Sequence, residues 1–155
     1  MYFGSGAGPL VFDKAGSFYG ATSFGGNSCG GEHHSCGVVY KLSQAVNGRW
    51  RAEVLHFFSQ GARGFGPQDQ IARDKAGNLY GTAGLGGDPV CGCGTVYKLS
   101  PRAHGQWKYT VLHRFVAATG GLPEGGVILD GKGNLYGTTL GGGAYGGGVV
   151  FEVTP

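Results

Sequence analysis

The sequence has no run of lysine or arginine and no apolar stretch longer than a few residues; Val149-Val150-Phe151 is typical of the longest. The first absence excludes a dedicated nucleic-acid binder, which clusters positive charge. The net charge is only +3. The second excludes a membrane-spanning helix. Charged residues make up 14% of the chain, too few for a disordered polyelectrolyte. No apolar stripe of helical period exceeds two turns, so helices are disfavoured throughout. Glycine, by contrast, is abundant at 35 of 155 residues. That falls short of the every-third spacing of collagen. With six prolines, glycine makes up about a quarter of the chain, a composition that means disorder unless a period organises it. Leu, Ile, Val and Phe together supply 35 residues, just above the fifth below which chains rarely bury a core.

A period is present. Asp13-Lys-Ala-Gly16-Ser-Phe-Tyr19-Gly20-Ala21 recurs as Asp74-Lys-Ala-Gly77-Asn-Leu-Tyr80-Gly81-Thr82 and as Asp130-Gly-Lys-Gly133-Asn-Leu-Tyr136-Gly137-Thr138. The aspartates lie 61 and 56 residues apart. A second block, Val38–Leu42, recurs at Thr95–Leu99 and Val149–Val153. A third, Trp50 to Phe57, returns at Trp107 to Phe115 with Trp and His each displaced by 57. A long period holding several short apolar segments marks a propeller or solenoid.

Each unit reads as four short strands, a to d. Strand a is Leu10–Asp13, Ile71–Asp74 or Val127–Asp130; strand b is the Tyr-Gly-Ala/Thr segment. Strand c is the Val-Tyr-Lys-Leu type segment and strand d the Val-Leu-His segment. Strand c alternates, with Val38, Tyr40 and Leu42 on one face and Val39 and Lys41 on the other. The Asp-Lys-Ala-Gly stretch suits a tight a–b hairpin, where aspartate accepts local N–H groups and glycine takes positive φ. Asn47-Gly48 and His104-Gly105 signal the c–d turns. The fold class is all-β and β-propeller-like, about three four-stranded blades. The chain is expected to be one repeat domain, with units at about 8–67, 68–123 and 124–155, the last incomplete.

In an up-and-down meander the a–b and c–d turns share one end. The b–c loops (24–37, 84–94 and 141–148) and the d–a loops (60–70 and 117–126) share the other. These loops are long, glycine-rich and different in each unit, so a binding surface belongs there. The strand count reaches 11, short of the roughly 4 to 8 blades of a closed propeller. Met1-Tyr2-Phe3 offers only a poor repair for the missing strand d. Three readings follow: a fragment of a longer repeat protein, an oligomer that builds one ring, or an open stack. The start without a signal peptide and the end inside a blade favour the fragment.

These motifs resemble the bacterial GloVer tandem-repeat proteins, whose unit runs Asp-x-x-Gly-Asn-Leu-Tyr-Gly-Thr-Thr, a Gly-Gly-rich loop, Gly-x-Val-Phe-x-Leu and Val-Leu-His-x-Phe. Gly133 to Thr139 matches throughout, and the first unit departs at Ser17, Phe18 and Ala21. The resemblance runs from about Gly8 to Pro155. It implies a propeller-like protein, secreted or displayed at a bacterial surface, with no catalytic residues to transfer.

For such a protein Cys29, Cys36, Cys91 and Cys93 read as disulfide candidates, all in b–c loops. Cys29–Cys36 would pin a loop, Cys91–Cys93 would close a very small, strained ring, and Cys36–Cys93 would cross neighbouring loops. The competing reading is a zinc site using Glu32, His33 and His34, whose spacing matches no standard motif; no metal and no cofactor are assigned. His56 and His113 recur in register and read as fold residues. Tyr19, Tyr80 and Tyr136 read as an aromatic layer with hydroxyls bonded to backbone, and Trp50 and Trp107 as packing residues.

The remaining acids are scattered, with no carboxylate pair apparent, and no nucleophile elbow occurs. The expected role is therefore a binding or scaffold module for a glycan, peptide or surface partner. The alternative is a fragment of a propeller lyase or hydrolase whose site needs further blades. By loop position the candidate contacts are Phe24, His33, His34, Arg63, Phe65, Gln68, Asp88, Glu124 and Tyr145.

Overall fold

The computed structural model describes residues 8–26, 28–29, 35–68 and 70–155. Met1-Tyr2-Phe3, Glu32, His33 and His34 therefore lie outside the described residues.

Three antiparallel sheets follow one another along the chain. The first is a meander of β1 (Val11–Phe12), β2 (Phe18–Thr22), β3 (Val38–Gln44) and β4 (Trp50–Phe57). The second contains β5 (Phe65–Pro67), β6 (Ala72–Arg73), β7 (Leu79–Leu85), β8 (Thr95–Pro101) and β9 (Trp107–Arg114). The third contains β10 (Ile128–Leu129), β11 (Leu135–Thr138) and β12 (Val150–Val153). The described residues contain no α-helix, only a 3-10 turn at Ala103–Gly105.

The sequence reading of 11 strands needs one correction. Phe65–Pro67 falls in a segment that reads as loop, because Gly-Phe-Gly-Pro is turn composition. It forms β5 instead, pairing Phe65 with Leu85 and Pro67 with Ala83. β5 and β6 thus lie end to end along the same edge of β7.

The hairpins close as their chemistry demands. Asp74 accepts the Asn78 backbone N–H on Oδ1 at 2.9 Å, and Asp130 does the same for Asn134 at 2.8 Å. In the first unit Asp13 Oδ1 takes Ser17 N at 3.0 Å. The sequence suggests that the tyrosine hydroxyls bond to backbone, and the structure corrects this. They donate to the turn aspartates: Tyr19 to Asp13 Oδ2 at 2.9 Å, Tyr80 to Asp74 at 3.0 Å and Tyr136 to Asp130 at 3.4 Å. The tyrosine lies in strand b two residues beyond the turn, so its hydroxyl reaches back over the hairpin. Such charge-assisted bonds are the stronger kind. Against the opposing effect of desolvation, they help hold Asp13 and Asp74 below the usual carboxylate range, whereas Asp130 is held there by N–H groups of Asn134, Lys132 and Gly133.

The central glycine of strand b has a packing reason. Gly20, Gly81 and Gly137 pair directly with Tyr40, Tyr97 and Phe151 of strand c. The facing ring lies across the bare backbone: a Cβ on Gly81 would meet Tyr97 Oη at 2.5 Å. A side chain there would displace the ring that fills the core.

The sheets pack against one another in chain order. One core cluster joins the first and second sheets, with Tyr19, Val39 and Phe58 against Ile71, Leu79, Tyr97, Leu99 and Tyr109. Another joins the second and third, with Tyr80, Val96 and Phe115 against Val127 and Leu135. The alternation of strand c decides this: Tyr97 and Leu99 face one neighbour and Val96 faces the other. His56 stacks on Tyr109 across the first interface, at 4.1 Å and 12°. Trp107 meets Tyr19 edge-on at 6.3 Å. Trp50, its counterpart in the first unit, rests on Phe18 at 5.4 Å but stays exposed, so packing describes it only in part.

A candidate binding cleft at the loop end

Two straps, one before each of the second and third strand a segments, shape the loop end. Gly66 N donates to Cys36 O at 2.9 Å, and Ser23 Oγ donates to Pro67 O at 3.0 Å, tying the first strap to the first sheet. Gln68 N donates to Thr82 O at 2.8 Å, tying it to the second. The second strap repeats the first of these bonds one unit on and is tied by two others of its own. Leu122 N donates to Cys93 O at 2.8 Å, Thr82 Oγ1 donates to Gly125 O at 2.7 Å, and Leu140 N donates to Leu122 O at 2.9 Å.

Between the straps lies a cleft of about 350 Å³, within the size range of small-ligand sites. Phe24, Phe65, Leu85, Leu122 and Pro123 give it apolar walls. Ser23, Ser35, Gln68 and Glu124 supply polar groups. Ser35 Oγ also accepts the Gly25 N–H at 2.7 Å, which holds the backbone next to Phe24. Glu124 is the one carboxylate among the described lining residues.

Leu122 stands out by its backbone. Its φ is +54°, a left-handed conformation that costs a leucine roughly 1–3 kcal/mol. The matching position of the first strap is Gly66, with φ +62°. The second strap thus places a large apolar side chain where glycine would sit without strain, and that side chain forms a cleft wall.

Of the residues expected from loop position, the structure brings Phe24, Phe65, Gln68 and Glu124 together in this cleft. Arg63 stands elsewhere: its carbonyl accepts the Tyr109 hydroxyl at 2.6 Å, and its guanidinium lies 5.1 Å from the Tyr109 ring. Asp88 organises its own loop, accepting Val90 N at 2.9 Å and Cys91 N at 3.0 Å. Tyr145 is fully exposed on the third b–c loop. Ser23, Ser35, Leu85 and Leu122 also line the cleft but were not among those candidates. The recurrence of Pro67 at Pro123, 56 residues on, is the sequence signal that marks the two straps.

The cysteines pair within their own loops. Cys29 bonds Cys36, with Cα atoms 5.4 Å apart, and Cys91 bonds Cys93, at 5.1 Å. Cys36 and Cys93 are buried in the two inter-sheet cores, beneath the straps that their carbonyls hold. Among the described residues no group of three or more His, Cys, Asp or Glu gathers as metal ligands. His56 and His113 sit on strand d, His113 edge-on to Phe115 at 4.8 Å.

A family model for the Gloeobacter/Verrucomicrobia repeat matches residues 3–155. The chain belongs to this repeat family. No curated protein and no solved structure matches it. Membership accounts for the recurrence of hairpin, strap and sheet along this Gloeobacter/Verrucomicrobia repeat chain, and it names no ligand.

Proposed function

We propose that this repeat chain is a binding module, exported or displayed at a bacterial surface, and that the loop-end cleft takes a glycan. The convergence of Phe24 and Phe65 with Gln68 and Glu124 in one cleft supports the reading. Aromatic rings accept the apolar face of a sugar, while the amide and carboxylate bond its hydroxyls. Disulfides pinning the neighbouring loops suit an oxidising compartment outside the cytosol. A lyase or hydrolase needs a second acid or base across the cleft, and Glu124 has no such partner among the described lining residues.

A glycan array followed by calorimetry on any hit tests this. Phe65→Ala and Glu124→Gln are each expected to weaken binding about tenfold or more. Val46→Ala, at the opposite turn end, should leave it unchanged. An array without hits overturns the glycan reading. Leu122→Gly is expected to weaken the same binding while leaving stability unchanged or about 1 kcal/mol higher, because the strain is relieved.

A further inference from the structure

The two internal interfaces reveal which sheet face pairs with which. The face of the first sheet carrying Val11, Tyr19 and Val39 packs against the face of the second carrying Ile71, Leu79 and Tyr97. The second sheet repeats the first pattern towards the third: Ala72, Tyr80 and Val96 pack against Val127, Leu135 and Phe151. Every sheet therefore has a leading face, which receives the sheet before it, and a trailing face, which enters the sheet after it.

Among the described residues two faces are left over, one of each kind. On the leading face of the first sheet, Leu10 is 41% exposed, whereas its counterparts Ile71 and Val127 are each 1% exposed. Phe12, 71% exposed, stands beside Phe18 at 6.3 Å, and Phe18 in turn contacts Trp50. On the trailing face of the third sheet, Val150 is 78% exposed, whereas Val39 and Val96 are both fully buried. Ile128, the counterpart of Val11 and Ala72, is 62% exposed.

We infer that a second copy of this chain docks head to tail, the trailing face of one third sheet covering the leading face of the other's first sheet. The occupant is argued from the chain itself, since the leftover faces carry the same repeat positions as the faces already joined twice within it. The internal contacts also give the register. Tyr19 meets Arg73 at 5.6 Å and Trp107 at 6.3 Å. Moved one interface outward, Tyr136 of one copy meets Phe12 and Trp50 of the other. A contact between unlike faces is heterologous, so it closes into a ring or runs on. Two copies of the three described sheets supply six, inside the range of closed propellers.

Light scattering at about 50 μM on the whole chain tests this, and the expected mass is twice 15.9 kDa. Phe12→Glu and Val150→Glu change exposed side chains, so each variant should fold, with a melt like that of the parent measured under monomeric conditions. Each alone should weaken self-association at least tenfold and give single chains. Mixing the two variants restores one intact contact and should return a two-chain species. A mass of one chain for the parent, with a cooperative melt, overturns the inference. So does association that survives Val150→Glu, which would mean like faces meeting.

Discussion

Among the described residues the second sheet is covered on both faces, whereas the first and third are each covered on one. The same repeat positions thus occur in two environments within one molecule, which is a built-in control. Leu79 and Phe18 occupy one position of strand b, yet Leu79 is buried and Phe18 only half-buried. Val96 and Val150 occupy one position of strand c, buried in one case and exposed in the other. The difference shows that sequence pattern assigns a side chain to a face, and the neighbouring sheet decides what that assignment is worth.

The largest expected effect breaks the covered side of this comparison. Leu79→Ala should destabilise by about 3 kcal/mol in urea unfolding, from lost burial plus a cavity. Phe18→Ala, measured dilute enough to keep chains single, should cost less, about 2 kcal/mol, since the ring is only partly buried. Equal costs would mean that the first sheet's leading face is covered in the free chain.

The histidines sharpen the comparison next. His56 lies under the Tyr109 ring, and burial followed by the Arg63 charge lowers its pKa to about 4. His113 holds the same place in the second unit, and burial alone lowers it. The third sheet has three strands, so no fourth strand stands over His113 as β9 stands over His56. A His56 pKa lowered on folding means that the unfolded chain binds more protons between pH 6.5 and 4. Stability is complete above pH 6.5 and falls as pH drops through that window, by about 2 kcal/mol after allowance for solvent screening. His56→Gln should flatten this fall in melting experiments, and His113→Gln should flatten it less.

The smallest effect concerns the tyrosine on the central glycine. Tyr97 Oη is fully buried and has no hydrogen-bond partner among the described residues, while the third unit has Phe151 at that position. Burial raises the Tyr97 pKa far above the usual tyrosine value. Tyr97→Phe should therefore be neutral or stabilise by up to about 1 kcal/mol, read from the urea midpoint.

Much of this was legible in the residues. Asp13, Asp74 and Asp130 announce their hairpins because an aspartate followed three residues later by glycine is local chemistry. The alternation in Val38–Leu42 gives the faces for the same reason. Phe24, Phe65, Gln68 and Glu124 were reachable by parity, since alternate connections of a meander share an end. What stayed hidden depends on distant partners. β5 exists because β7 offers an edge to it, and Gly66 and Pro67 work against a strand. The hydroxyl of Tyr19 finds Asp13 only once the hairpin brings it back. The left-handed backbone of Leu122 shows only through its equivalence with Gly66, and the pattern of residue types hides that.

The straps carry one more consequence. Each is bonded to the sheet before it and the sheet after it, so the cleft walls and the spacing of the stack rest on the same bonds. Prying two sheets apart would open the cleft, and a ligand wedged in the cleft would resist that separation. The site would then act as a strain gauge for the row of sheets, its affinity rising or falling with the tension along the chain.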